Sequence, residues 1–454
     1  MHLLPKSGRY LAAALSVALA GPAFAVVNFN DGGTHTIPID TADINDINGG
    51  AAANVTNATT LNLLVGGTIS SIDTNNTNNG ATGVQVRDTS IFNYSGGTLS
   101  ATDTMNGQNA IGIQGFGNAI INYSADGTGF SAMDQDANGS GIGIQVREMT
   151  QLNILAGSTL QNISDVGGGS ALGIQVTTNG SNPTITIDGI ISGVVDNGGG
   201  SAQGVSIGDN KSANLSISAT GSITVTDNGG SDAIGINAAG ANNASVINFL
   251  GAIVSNDNNA GNAIGIRAAG VSSLVAGGSI TVNDTGNGSA IGIQTQNNAT
   301  ADVSAMITVT ESGGAHARVL QANNDSVINV LSGFKFSMTE ANGGNARLLL
   351  ANGSSVVNIF GGDLIGDEII QIDADAKVFI WNTDDVFVDG EAYSDVLTAG
   401  PNRTISGTLS DGSAFSFIAD INGNGMLAVV PEPTTTLLGL VGIAALGIRR
   451  RRLA

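Results

Sequence analysis

The side chains best suited to chemistry in this chain are its carboxylates: 36 Asp and Glu stand against 15 Lys and Arg, 3 His and no Cys. Without thiols there can be no disulfide, thiolate metal site or cysteine nucleophile. His2 lies in a segment expected to be removed. That leaves His35 and His316, far apart in sequence and thin material for a zinc site. Calcium takes oxygen ligands, so it is the cofactor that these acids suggest. In "DQDANG", Asp134, Asp136 and Asn138 set oxygen donors at alternate positions before Gly139, like the start of a twelve-residue calcium loop. Gln145, however, stands where the bidentate Glu belongs. "DINGNG" begins the same way with Asp420, Asn422 and Asn424, then reaches Pro431 at that place. Asp, Asn and Gly also dominate ordinary turns, and for both stretches the turn reading is preferred.

The elements that must position these groups are strands. Gly numbers 66 of 454 residues, aromatics are 4% and charged residues 11%, while Ile, Val and Leu come in short alternating runs. Helical periodicity is absent, and hydrophobic content of 41% is too high for simple disorder. A hexapeptide recurs as "ATGVQV" at Ala81, "AIGIQG" at Ala110, "GIGIQV" at Gly141, "ALGIQV" at Ala171 and "AQGVSI" at Ala202. It continues as "AIGINA" at Ala233, "AIGIRA" at Ala263 and "AIGIQT" at Ala290, with degenerate copies at Ala317 and Ala346. Successive starts lie 27 to 31 residues apart, and each period holds three β-like runs between Gly, Asn and Asp turns. A propeller blade needs about 40 residues and four antiparallel strands. The period therefore predicts an all-β fold, a parallel β-solenoid with three strands per coil of about 30 residues.

Alternation assigns the faces. The residue after the shared Gly is aliphatic in every copy, from Val84 to Leu349, and must point inward. The next residue points out, and there stand Gln85, Gln114, Gln145, Gln175, Gln294 and Gln321. Stacked amides can bond rung to rung, so this column reads first as a structural ladder and second as a carbohydrate-reading stripe. With Gly and Ala flanking it, the outer face is expected to be flat and nearly bare. From Ala376 the register is lost. Residues 376–430 read as an antiparallel cap and 26–50 as the cap of the other end, with the solenoid at 51–375.

Both ends carry sorting chemistry. Lys6 and Arg9, an apolar run from Leu11 to Ala20, and Ala23-Phe24-Ala25 form a secretory signal over 1–25, cut by signal peptidase after Ala25. At the other end, 431–454, stand Pro431, Glu432 and Pro433, a short apolar run from Leu437 to Ile448, then Arg449, Arg450, Arg451 and Arg452. That three-part order resembles the PEP-CTERM sorting signal of Gram-negative bacteria. The resemblance implies a short transmembrane helix, a transient inner-membrane intermediate, recognition by an exosortase, and delivery to the cell surface or exopolysaccharide matrix. The coils themselves resemble autotransporter passenger domains, which implies a right-handed β-helix. "WNTDD", Trp381 to Asp385, is similar to one acidic motif of the polygalacturonases, but the Gly-His-Gly and Arg-Ile-Lys motifs that accompany it there are missing.

Setting aside the cations and the one acid of the two ends leaves nine cations against 35 acids, a net charge of about −26. Such a surface repels nucleic acid and anionic lipid. The nine cations look scattered and form no catalytic constellation with the acids. The sequence thus points to a non-enzymatic structural or adhesive protein of the extracellular polysaccharide matrix, with no catalytic residues. The alternatives are a polysaccharide-active β-helix enzyme, hydrolase or lyase, and a calcium-dependent assembly module.

Overall fold

A computed structural model describes residues 26–431, apart from 38–43, 48, 75–79, 105–106, 178–181, 241–243, 383–384, 399 and the side chain of 367. The described chain is a parallel β-solenoid. One winding runs Ala263–Ala268, Ser273–Ala276 and Ser279–Asp284, and the next begins with Ala290–Thr295. Each of the three strands joins a different sheet, called here first, second and third, and stacks on its equivalent in register. Ile236, Ile266 and Ile293, for example, are successive partners. Ten windings between Gly50 and Glu340 carry all three strands.

Strands of the second and third sheets alternate buried and more open positions, as in Ser222–Asp227, because period-2 side chains of one strand face opposite sides, whereas first-sheet strands such as Ala110–Gly115 are buried throughout. The inward aliphatic column from Val84 to Leu349 is at most 1% exposed. Burying one such side chain is worth about 1.5–3 kcal/mol, so repetition along the rod supplies the stability that absent disulfides do not. Two kinds of corner hold the windings in step. In most windings the eighth residue adopts a left-handed backbone, as at Asp88 (φ 62°), Asn297 (φ 59°) and Gly353 (φ 69°), and in the winding from Ala202 the ninth, Asn210, does so instead. After the third strand, turn backbones stack so closely that a Cβ on Gly286 or Gly313 would sit 1.1 Å from a carbonyl oxygen of the turn below.

The ends differ from the sequence reading. Residues 26–50 do not form a separate kind of cap: Val27–Phe29, Thr34–Ile37 and Ile44–Asp46 pair in parallel with the next winding. Gly50–Val55 is itself an unrecognised copy of the hexapeptide strand, in register with Ala81–Val86. Residues 376–430 are only partly antiparallel. Lys377–Asn382, Ala414–Ile421 and Met426–Pro431 continue the parallel stacks, since their aliphatics still fill the inward columns. Gly400–Thr408 and Val396–Leu397 then lie antiparallel on these last strands and cover part of their open edges.

Candidate functional site

The outer face of the first sheet is creased rather than flat. Number the hexapeptide from its Ala. Residues two and five would face opposite sides of a straight strand, yet here they meet. Arg318 Nη1 donates to Gln321 Oε1 at 3.2 Å, and Asn237 Nδ2 to Gln203 Oε1 of the preceding winding at 3.1 Å. The bend falls at the shared Gly. A Cβ on Gly235 would lie 2.4 Å from Ile253 Cγ2 and 2.6 Å from the Gly265 carbonyl, so only Gly lets the strand fold inward there. Position two consequently forms aliphatic clusters of its own, Ile111–Ile142–Leu172 and Ile234–Ile264–Ile291, separate from the main core and at most 7% exposed.

The predicted glutamine column lies along this crease. Gln85 donates to Gln114 at 2.7 Å, Gln114 to Gln145 at 2.5 Å and Gln145 to Gln175 at 2.6 Å. Gln294 instead accepts from Arg267, and Gln321 accepts from Arg318 and donates to Asn323. A second amide ladder, missed in the sequence, runs up the outside of the second sheet. Asn93, Asn122 and Asn153 each donate at 2.8 Å to the Asn one winding below, beginning at Asn62. Its signal was present: an Asn recurs third in "TLNL", "IFNY", "IINY" and "QLNI".

The larger omission is a column of carboxylates. The third-sheet strands end in Asp73, Asp103, Asp134, Asp165, Asp196, Asp227, Asp257, Asp284 and Glu311, stacked in register. They point inward with the aliphatics, and each is at most 1% exposed. One oxygen of each of several caps the turn that follows: Asp196 accepts from Gly198 N at 2.8 Å, Asp257 from Asn259 N at 2.9 Å and Asp284 from Gly286 N at 2.9 Å. Asp227 is satisfied on both sides, by Gly229 N and Gly230 N and by Ala202 N at the start of its own winding. The Oδ2 atoms of Asp134, Asp196, Asp257 and Asp284 have no hydrogen-bond partner. Burial, reinforced by neighbouring carboxylates, pushes Asp134 up to about 8, Asp196 and Asp257 to about 7, and Asp165 and Asp284 to about 6.

Of the expected calcium donors, Asp134 and Asp136 come together, and Asp103 of the winding below joins them. Among the described residues these three form the one group of acidic or His side chains close enough to share an ion. Asp136 receives backbone donors from Gly107, Asn138 and Gly139, which hold its carboxyl below the usual range, and the Asn138 residue is exposed. Gln145 belongs to the amide ladder, so the stretch is a corner of the solenoid, not a closed twelve-residue loop. Asp420 is the last residue but one of the strand Ala414–Ile421, while Asn422 and Asn424 donate to Asp373 and Asp375 of the winding below. His35 bonds exposed Asp31, and His316 stands on another winding altogether. Trp381 stacks on Phe360 with ring centres 5.2 Å apart, and Asp384 lies outside the described residues.

Ala23, Ala25, Glu432, Pro433 and Arg449 to Arg452 also lie outside the described residues, and Pro431 closes the last strand. No helix among the described residues is long and apolar enough to cross a membrane. Neither a curated protein nor a solved structure matches the chain. The PEP-CTERM protein-sorting motif matches residues 429–452. The chain is therefore a β-solenoid that carries a PEP-CTERM motif, which marks it for export and exosortase-dependent sorting toward the cell surface.

Proposed function

We propose that this protein is a non-enzymatic structural or adhesive rod of the extracellular polysaccharide matrix. The observation that carries the reading is the junction at Val429 to Pro431, where the motif at 429–452 begins within the last strand of the stack and joins the rod to a sorting handle. A solenoid whose polar columns mostly bond one another offers extended surface rather than a reaction centre. The stacked carboxylates favour the same reading, since they are at most 1% exposed among the aliphatics of the core. Signal peptidase and an exosortase are the processing partners.

The test is fractionation of an exosortase-bearing Gram-negative host expressing the full chain. The wild type should reach the surface or medium, and a variant with Arg449 to Arg452 replaced by Gln should be retained with the cell. Equal distribution of the two, or release of sugar products from acidic or neutral glycans by the purified wild type, would overturn the reading.

A further inference from the structure

We infer that the outer crease of the first sheet is a docking track for a linear polysaccharide bearing carboxylate groups. This deepens the matrix reading and rests on it for its setting, while binding itself is a property of the folded rod. The cations are not scattered in space. Of the nine between residues 26 and 430, five gather along the first sheet: Arg267, Arg318 and Arg347 stand in its strands, and Arg87 and Arg147 directly follow the strands Ala81–Val86 and Gly141–Val146. Positions two, five and seven of the windings from Gly50 to Ala351 contain no carboxylate. Asp88 and Glu148 follow Arg87 and Arg147 but occupy the exposed eighth position. An otherwise acidic rod thus has one side made of amides, aliphatics and arginines.

Two features of these arginines cost the fold stability. Arg318 and Arg347 are partners on adjacent rungs, where like charges repel. Burial and the Arg347 charge both push the Arg318 guanidinium below its usual range, and its Nε has no partner. An anion lying across the two would relieve both. Two rungs apart near the other end, Arg87 and Arg147 sandwich the Phe116 ring at 4.7 and 4.9 Å from its centre. Each also donates to the glutamine beside it, Gln85 or Gln145, which fixes its fork beforehand.

The crease already holds one carboxylate: Arg267 binds Asp232, the residue just before the hexapeptide, at 3.0 Å. All five are Arg rather than Lys, and the planar guanidinium suits carboxylate in a two-point grip. At about 4.8 Å per rung the members of the two pairs lie roughly 5 and 10 Å apart along the axis and the pairs themselves several windings apart, so an occupant that spans both is an extended polymer parallel to the rod. The glutamines on the rungs between, Gln114 and Gln294, are only 7% exposed and already bonded to neighbouring rungs, so the grip falls to the arginines. At physiological salt the Debye length is about 8 Å, so the crease is felt locally while acids of the other faces are screened. Nucleic acid fits less well, since its dense phosphates would meet few cations and a repelling remainder.

The experiment uses the purified full-length chain in 0.15 M salt with EDTA, and measures binding to polygalacturonate, dextran and double-stranded DNA. Saturable binding to polygalacturonate alone is expected, weakened about tenfold or more in R87Q/R147Q and in R318Q/R347Q, with partial recovery in the Arg→Lys versions. Absence of polygalacturonate binding, equal affinity for dextran, tighter binding to DNA, or no effect of the substitutions would overturn the inference. Should R318Q/R347Q fail to fold by circular dichroism, the solvent-side pair R87Q/R147Q decides alone. A localisation failure would undo the matrix reading and leave this result standing.

Discussion

Two columns of side chains climb the same rod by the same in-register stacking, and they meet opposite fates. The glutamines on the outside of the first sheet carry both a donor and an acceptor, so each rung satisfies the next. The carboxylates inside the corner after the third sheet are acceptors only when ionised, so stacking supplies a neighbour but no donor. Backbone N–H groups of the turn fill one oxygen, and at several rungs the other has no hydrogen-bond partner. Repetition is thus self-consistent for amides and self-frustrating for charged carboxylates.

The pH dependence should break this comparison open most widely. A carboxyl whose native pKa lies above its unfolded value adds stability below the unfolded pKa and forfeits it as pH climbs through the native one. With native values of about 6 to 8 along the column, the melting temperature should fall by about 5–10 °C between pH 5 and pH 9. Thermal unfolding followed by circular dichroism would show it, and a flat or rising profile would mean the column stays charged and compensated. Next in size is Asp196→Asn, which makes one carboxylate rung resemble an amide rung. It should add about 1 kcal/mol at pH 8 in a denaturant titration and almost nothing at pH 5. A loss at both values would contradict the assigned protonation. Smallest is Gln145→Ala, which removes bonds to Gln114, Gln175 and Arg147 and should cost about 1 kcal/mol at either pH. A pronounced pH dependence there would blur the contrast between the columns.

Much of this architecture was legible because stacking copies the period of the sequence into space. The inward column from Val84 and the outward glutamines follow from alternation within one hexapeptide. The crease does not, because alternation assumes a straight strand, and the bend at the Gly is set by the side chains beneath it, such as Ile253 under Gly235. The acids of "SATD", "GVVD" and "TVTD" repeat plainly, but an Asp before Gly and Asn reads as a turn residue facing water. Only the parity of the strand, with Ile223 and Val225 inside, carries Asp227 in with them. The arginines escaped notice for a related reason: Arg87, Arg267 and Arg347 hold different positions of the repeat, and convergence depends on the fold in the sheet.

The last strand bears on the timing of maturation. Val429, Val430 and Pro431, where the sorting motif starts, are partners of Ile380, Trp381 and Asn382 in the final parallel rung. A membrane protease gripping substrate as an open, single polypeptide thread cannot reach back that far once the rung has zipped shut. Either it engages downstream of Pro431, or it must outrun folding of the terminal rung, and stiffening that rung would then slow maturation without touching the motif.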